Sequence, residues 1–298
     1  MESIVYHGIS ATPSAVTFAV ELLPRLAYST RDNPRLASFG IALERQTGVH
    51  AIGTDRRRDF DTWTGTMSFT PAGMDVFSES AVGGEYLVIR WNDEGTGVQR
   101  PFSRPQRVAP PAVLQLGMAL RRSLVGGASP AQTEALVQRL MAALDTLHAP
   151  PPDARAMADL RQRYVRVLER IDDEIGRPDE DLSLPALSAW VQRTPLAFLR
   201  QFKQLTGMTP HAYVNERRLQ RARAEIRGAE GSLAEVAAGS GYASQSHMGT
   251  AFQRALGLTP AAYRRWVCGN DARGAARHGG KLHHLSAHPI RNHPIQDL

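Results

Sequence analysis

Arg200 and Lys203 lie in the stretch TPLAFLRQFKQLTG, whose apolar residues recur at helical spacing. Phe198 and Phe202 stand at i and i+4 and point inward together, which turns Leu196, Leu199, Arg200 and Lys203 away from the core. About fifty residues later, SQSHMGTAFQRALG places Met248 and Phe252 at the same two inward positions. Gln245, Ser246, His247, Gly249 and Thr250 then take outward or N-terminal positions on that second helix. In each copy a short helix precedes this one across a tight turn. Two short helices so joined, the second presenting an arginine-bearing face, describe a helix-turn-helix, whose chemistry is recognition of DNA and not bond breaking.

The flanks support a duplicated unit. GMTPHAY at 207–213 recurs as GLTPAAY at 257–263. Leu184 and Leu187 match Leu233 and Val236 at an offset of 49, whereas Phe202 and Phe252 are 50 apart. The extra residue therefore falls in the turn, where an insertion costs least. Asp181 or Ser183 can cap the first helix, and Thr194 caps the second, with Pro195 at its start. Between the copies, Thr209 and Pro210 open a helix that continues through Ile226 to Gly228. At ~1.5 Å per residue it is long enough to hold two reading helices about one turn of duplex apart. Arg217, Arg218, Arg221 and Arg223 on this rod read either as phosphate contacts or as a solvated face, with Leu219, Ala222 and Ile226 inward.

The charge distribution agrees. Residues 1–180 hold 20 arginines against 22 acids, residues 181–268 hold 11 bases against 5 acids, and the whole 298-residue chain carries +6. A basic segment behind a near-neutral one suggests a polyanionic partner. The single cysteine, Cys268, excludes an internal disulfide and a thiolate cluster. A signal pattern and an apolar run of membrane length are both absent, so the expectation is a soluble cytoplasmic protein without a membrane partner.

Ahead of the repeat, FGIALER, TMSFTPAG, DVFSES and EYLVIRW read as short strands broken by glycine-rich turns, which favours a small barrel or sandwich. RPFSRPQRVAPPA reads as a linker, followed by an amphipathic helix pair, AVLQLGMALRRSLV and PAQTEALVQRLMAALDTL. APPPD at 149–153 reads as a hinge. The expected class is α+β. Residues 1–108 form a β-rich sensing domain (a small, cupin-like barrel or sandwich). Residues 109–150 form a helical linker and dimerisation segment, 155–268 an all-α domain of two helix-turn-helix units, and 269–298 a disordered tail. His278, His283, His284, His288 and His293 in that tail lack a carboxylate or cysteine partner and read as solvated, so no metal and no cofactor is expected. Trp63, Arg90 and Trp91 read as pocket lining or as core and surface charge.

Residues from about 160 to 267 resemble the DNA-binding domain of the AraC/XylS family of bacterial transcription regulators. The motifs that carry the resemblance are DLSLPALS, FKQLTGMTPHAYVNERRLQRA, SLAEVAAGSGYASQSHM and FQRALGLTPAAYRR. It implies a sequence-specific regulator, an activator by family habit, with double-stranded DNA and RNA polymerase as partners. A small-molecule effector of unknown identity and a homodimer are implied as well. Base reading is implied at Leu196, Leu199 and Arg200 and at Gln245, Ser246, His247, Gly249 and Thr250, with Lys203 beside the first set and Arg254 on a phosphate. Arg200 suits guanine and Gln245 adenine. This chain departs from the pattern at Thr250, where a basic residue is usual, and at Gln192, where the first turn usually has glycine. Two other classes remain as alternatives: an architectural protein that binds DNA without sequence preference, and a barrel enzyme with a DNA-binding appendage. No Gly-x-Ser-x-Gly, paired-carboxylate or phosphate-loop signal supports the enzyme.

Overall fold

The computed structural model describes residues 4–9, 17–32, 35–92, 106–145, 154–177, 180–228 and 231–267. The hinge at 149–153 and the histidine-containing tail lie outside them.

Among the described residues, ten strands precede the helices. They are β1 (Ile4–Ile9), β2 (Thr17–Leu23), β3 (Tyr28–Arg31), β4 (Leu36–Ala42), β5 (Gln46–Ile52), β6 (Arg58–Thr62), β7 (Thr66–Thr70), β8 (Val76–Ser80), β9 (Tyr86–Asn92) and β10 (Gln106–Val108). They form two antiparallel sheets, ordered β1-β2-β9-β4-β7-β10 and β3-β8-β5-β6. Most of the pairing is non-local: β9 lies between β2 and β4, with Ile89 opposite Val20 on one side and Phe39 on the other. In the six-stranded sheet the period-2 alternation sends Phe18, Val20, Leu22, Phe39, Ile41, Leu87, Ile89 and Trp91 to one buried face. Two features were not legible in the sequence. Strands β1 to β3 precede the stretches read as strands, though inside the part expected to be β-rich, and β10, inside the supposed linker, pairs with β7 as an edge strand.

Helices α1 (Pro111–Gly126) and α2 (Pro130–Asp145) follow the strands. Val113, Leu114, Leu120 and Val125 of α1, with Val137 and Leu140 of α2, join the core that the sheet begins. Gly117 lets α1 approach the sheet closely, since a Cβ there would meet Ile41 Cδ1 at 2.9 Å. The apolar faces of the pair are thus buried within the chain.

Helix α3 (Ala154–Glu174) leads into two helix pairs: α4 (Leu184–Trp190) with α5 (Pro195–Thr206), and α7 (Leu233–Gly239) with α8 (Gln245–Leu256). Helix α6 (Pro210–Arg227) joins them, and a last helical stretch covers 260–267. Tyr164, Phe198, Phe202 and Tyr213 form the aromatic centre of the first unit, with ring centroids 5.4 to 6.5 Å apart. Phe252 and Tyr263 play the same part in the second, 5.6 Å apart.

Neither core is closed by the repeat alone. Trp63, on the turn between β6 and β7, is buried within the first unit's cluster. Its Nε1 donates to Asp61 Oδ2 at 2.9 Å, and the guanidiniums of Arg161 and Arg45 stack on its ring at 5.1 and 5.9 Å. The second unit shares one continuous apolar cluster with the sheet and α1. A side chain at Gly126 would strike the Leu256 carbonyl at 2.9 Å, and Arg122 Nη1 donates to the Arg254 carbonyl at 3.1 Å. The β-rich part therefore packs against both helix pairs.

Candidate nucleic-acid interface

Each reading helix is set by its own caps and its own buried stripe. Ser183 Oγ accepts from Ala186 N at the start of α4, while Asp181 accepts from Ser183 N at 2.8 Å, so Ser183 is the cap and Asp181 orders the residue before it. Thr194 Oγ1 accepts from Ala197 N at the head of α5. Gly207 ends that helix in the left-handed conformation at φ 71°. In the second unit Ser232 and Glu235 form a reciprocal capping box on α7, and Ser244 Oγ accepts from His247 N on α8. Phe198, Phe202 and Leu205 bury one side of α5, and Met248, Phe252 and Leu256 bury one side of α8.

The two turns differ as the repeat offset requires. Four residues, 191–194, separate α4 from α5, and five, 240–244, separate α7 from α8. Gly241 holds φ 76° in the second turn, where a Cβ would strike the Ile175 carbonyl at 1.9 Å. Gln192 takes the corresponding place in the first turn at φ 53°, the only described non-glycine residue in the left-handed region. The turn keeps its shape with a side chain that makes it more costly.

All ten residues singled out in the sequence lie on α5 and α8. Leu196, Arg200, Lys203, Gln245, Ser246, His247, Thr250 and Arg254 are exposed, and Leu199 and Gly249 are half-buried. Leu196, Arg200 and Lys203 follow one face of α5 at four- and three-residue steps. Ser246, Thr250 and Arg254 follow one face of α8 at four-residue steps. The two faces are chemically unequal. The Thr250 hydroxyl donates to its own helix, at Ser246 O, 3.2 Å away. The His247 ring packs edge-on against Tyr242 with centroids 5.4 Å apart. A Cβ at Gly249 would meet nothing within 4 Å, so packing does not demand the glycine.

The arginines of α6 separate into two groups. Arg223 is buried and grips both Glu85 carboxylate oxygens, at 2.9 and 2.5 Å, with Tyr263 Oη accepting from its Nε at 3.3 Å. Arg217 donates to Asp172 at 2.6 Å and Glu44 at 3.2 Å, and also to Gln220. These two face the protein, so for them both sequence readings, phosphate contact and solvated face, are replaced by ion pairing. Arg221 stays exposed and pairs with Glu225 one turn on, at 3.2 Å, and Arg218 is half-buried beside Gly241.

Around Glu85 the network closes. Arg121 of α1 donates to Glu85 at 3.2 Å and to both oxygens of Glu216. Gln220 Nε2 donates to the Leu43 carbonyl at 2.9 Å, and Glu85 N donates to Glu44 Oε2 at 3.2 Å. Burial pushes the Glu85 carboxyl up, but Arg223 and Arg121 outweigh it and hold it down at about 2. Burial likewise disfavours the charged Arg223, and Glu85 reverses this and raises it well above the usual arginine value. Burial raises Asp172 despite the neighbouring Arg217. No local signal marks Glu44, Glu85 or Arg121, since their partners lie 19 to 173 residues away.

Of the residues read as pocket or core, Trp63 and Trp91 are core, and Arg90 pairs with Glu21 at 2.6 Å and Asp32 at 3.7 Å. Among the described residues no cluster of three or more His, Cys, Asp or Glu side chains could hold a metal ion, and no helix is long and apolar enough to cross a membrane.

A family model described as a helix-turn-helix domain matches residues 187–265, the span that contains both units apart from the start of α4. The matching relatives are regulators of the AraC type. Residues 187–265 are thus similar to the helix-turn-helix region of AraC/XylS-type regulators. Over 95 residues this chain is 32% identical to the HTH-type transcriptional regulator MtrA of Neisseria gonorrhoeae, covering 32% of each chain. Over 73 residues it is 40% identical to the HTH-type transcriptional activator RhaS of Escherichia fergusonii, covering 24% of this chain and 25% of RhaS. The chain thus spans about a third or less of these relatives' length, and the likeness concerns the AraC-type region. Among solved structures, the DNA-binding domain of AdpA, a global transcriptional factor in complex with a target DNA, is 27% identical. It covers 40% of this chain and 98% of its own, with a TM-score of 0.33.

Proposed function

We propose that the chain is a sequence-specific DNA-binding transcription regulator that reads two adjacent major grooves with α5 and α8. The observation that carries this reading is the pairing of two capped helices, each with a buried apolar stripe and an exposed polar face, at the ends of one helix. Helix α6 has 18 residues and is roughly 27 Å long at ~1.5 Å per residue, and the major groove returns to the same side of a duplex about every 34 Å. Arg200 is the strongest base reader, through guanine O6 and N7, with Leu196 and Leu199 beside it and Lys203 on the backbone. Gln245, Ser246, His247 and Gly249 serve the second groove with Thr250, and Arg254 contacts a phosphate. The similarity to the transcriptional activator RhaS favours activation, and hence contact with RNA polymerase.

The β-rich part supplies the control in this reading, as a cupin-like sensing domain coupled to α6 through Glu85 and Glu44. A homodimer through residues 109–150 belongs to it as well, using the outward side of α2, where Ala131, Ala135, Gln138, Arg139 and Ala142 are exposed. The test is a selection from random duplex with the full chain, followed by gel shift against excess random competitor. A regulator keeps its selected site under that competition. An architectural binder loses it, and that result would replace the proposal.

A further inference from the structure

Three large apolar side chains are exposed among the described residues: Leu26, Val82 and Leu196. The first two stand on neighbouring turns of the β-rich part, where Gly83 abuts the Leu26 backbone. Leu196 is different. It is 57% exposed, sits at the second position of α5, and shares a face with Arg200 one turn on. The stripe that packs α5 runs through Phe198, Phe202 and Leu205, so the fold does not require an apolar group at 196. The duplicate helix has Ser246 at the same place, fifty residues later.

A large apolar group held in water on a reading face is suited to an apolar feature of the partner. In the major groove that feature is the C5-methyl of thymine, since the other base-edge groups there are hydrogen-bond donors or acceptors. Four residues of helix advance by ~6 Å, close to two base-pair steps of roughly 3.4 Å. We propose that Leu196 selects a thymine by packing on its C5-methyl, about two base pairs from the guanine that Arg200 reads. The inference rests on the reading that α5 enters the major groove.

The experiment uses the full chain and the duplex selected from a random library. Each thymine of the site is replaced in turn by deoxyuridine, which removes only the methyl. At one thymine, within about three base pairs of a required guanine, affinity falls roughly fourfold, the effect of one methyl-sized group leaving an apolar contact. At that position 5-methylcytosine binds about fourfold more tightly than cytosine. In Leu196→Ala and Leu196→Gln both ratios fall to about one while the rest of the site is still required. Uniform tolerance of deoxyuridine by the wild-type chain, or an unchanged methyl effect in Leu196→Ala, overturns the assignment. Failure to select any sequence overturns the DNA-reading function itself, a separate result.

Discussion

Replacing Glu85 by glutamine keeps the shape of the side chain and removes one buried negative charge. Arg121 retains Glu216, but Arg223 keeps only neutral acceptors, the amide oxygen at 85 and the Tyr263 hydroxyl, so one guanidinium is left in a dry site without a counter-ion. Breaking a buried pair in this way costs about 3–5 kcal/mol. The depressed carboxyl gives an independent figure. A fall from 4.5 to about 2 in the folded state corresponds to about 3 kcal/mol at ~1.36 kcal/mol per unit. The sign follows from a folded pKa below the unfolded one. The contribution is present above about pH 4.5 and is lost as pH falls toward 2. Urea unfolding at pH 7, followed by tryptophan fluorescence and circular dichroism, should show a midpoint lowered by roughly 1 M at a slope of ~3 kcal/mol per molar. Because Glu85 joins the β-rich part to α1 and α6, the two signals should separate in Glu85→Gln where they coincide in the wild type. Between pH 5 and pH 3 the wild type should lose stability that Glu85→Gln no longer has to lose. The double variant Glu85→Leu with Arg223→Met should recover most of the deficit, since apolar replacement of a buried pair is close to neutral. A Glu85→Gln midpoint within experimental error of the wild type, with coincident transitions, would refute the assignment of this carboxylate as the junction's counter-ion.

Arg200→Ala should weaken specific binding at least tenfold and relax preference at one base pair, at ~1–3 kcal/mol for a bidentate contact, whereas Thr250→Ala should cost much less because its hydroxyl is bonded to Ser246 O. Binding to a library of single-base variants checks this, and equal losses would show the asymmetry to be wrong. Gln192→Gly should raise stability by roughly 0.5–1 kcal/mol, the left-handed penalty less the added backbone entropy of glycine, measurable as a raised urea midpoint. Trp63→Ala should cost about 3–5 kcal/mol by emptying a buried indole, and it should loosen the first helix pair more than the second when hydrogen exchange is followed along the chain. Log affinity for DNA should fall with log salt at a slope of about −4 to −5, from roughly five phosphates, because Arg217 and Arg223 are held by carboxylates. A slope steeper than about −7 would mean that those pairs open on DNA.

Local chemistry made the helix-turn-helix units legible. Hydroxyl caps at Ser183, Thr194 and Thr209, glycines after α5 and α8, and apolar pairs four residues apart all act within a few residues of themselves. Any fold that contains those stretches must express them in the same way. The repeat added a second reading of each position, so the outward residues of α5 and α8 and the extra turn residue followed from one chain alone. The β-rich part was legible only as short strands with turns between them. Its sheet order is set by pairings such as β9 between β2 and β4, which join residues up to about seventy positions apart, and a strand carries no mark of which partner it will meet.

The same limit governed the arginines. In the sequence α6 has five arginines on a helix with a buried stripe, and a basic side chain looks alike whether it faces phosphate, water or a carboxylate. Tertiary packing decided the matter. It brought Glu85 and Glu44 from the β-rich part and Arg121 from α1 against one side of α6, 95 to 173 residues away in the chain. In that dry junction a charge must be paired, and pairing removed Arg217 and Arg223 from the solvent-facing set. Trp63 shows the same rule for apolar groups: its indole was recognisable as core material, but only the assembled chain showed that the core it completes belongs to the first helix-turn-helix unit.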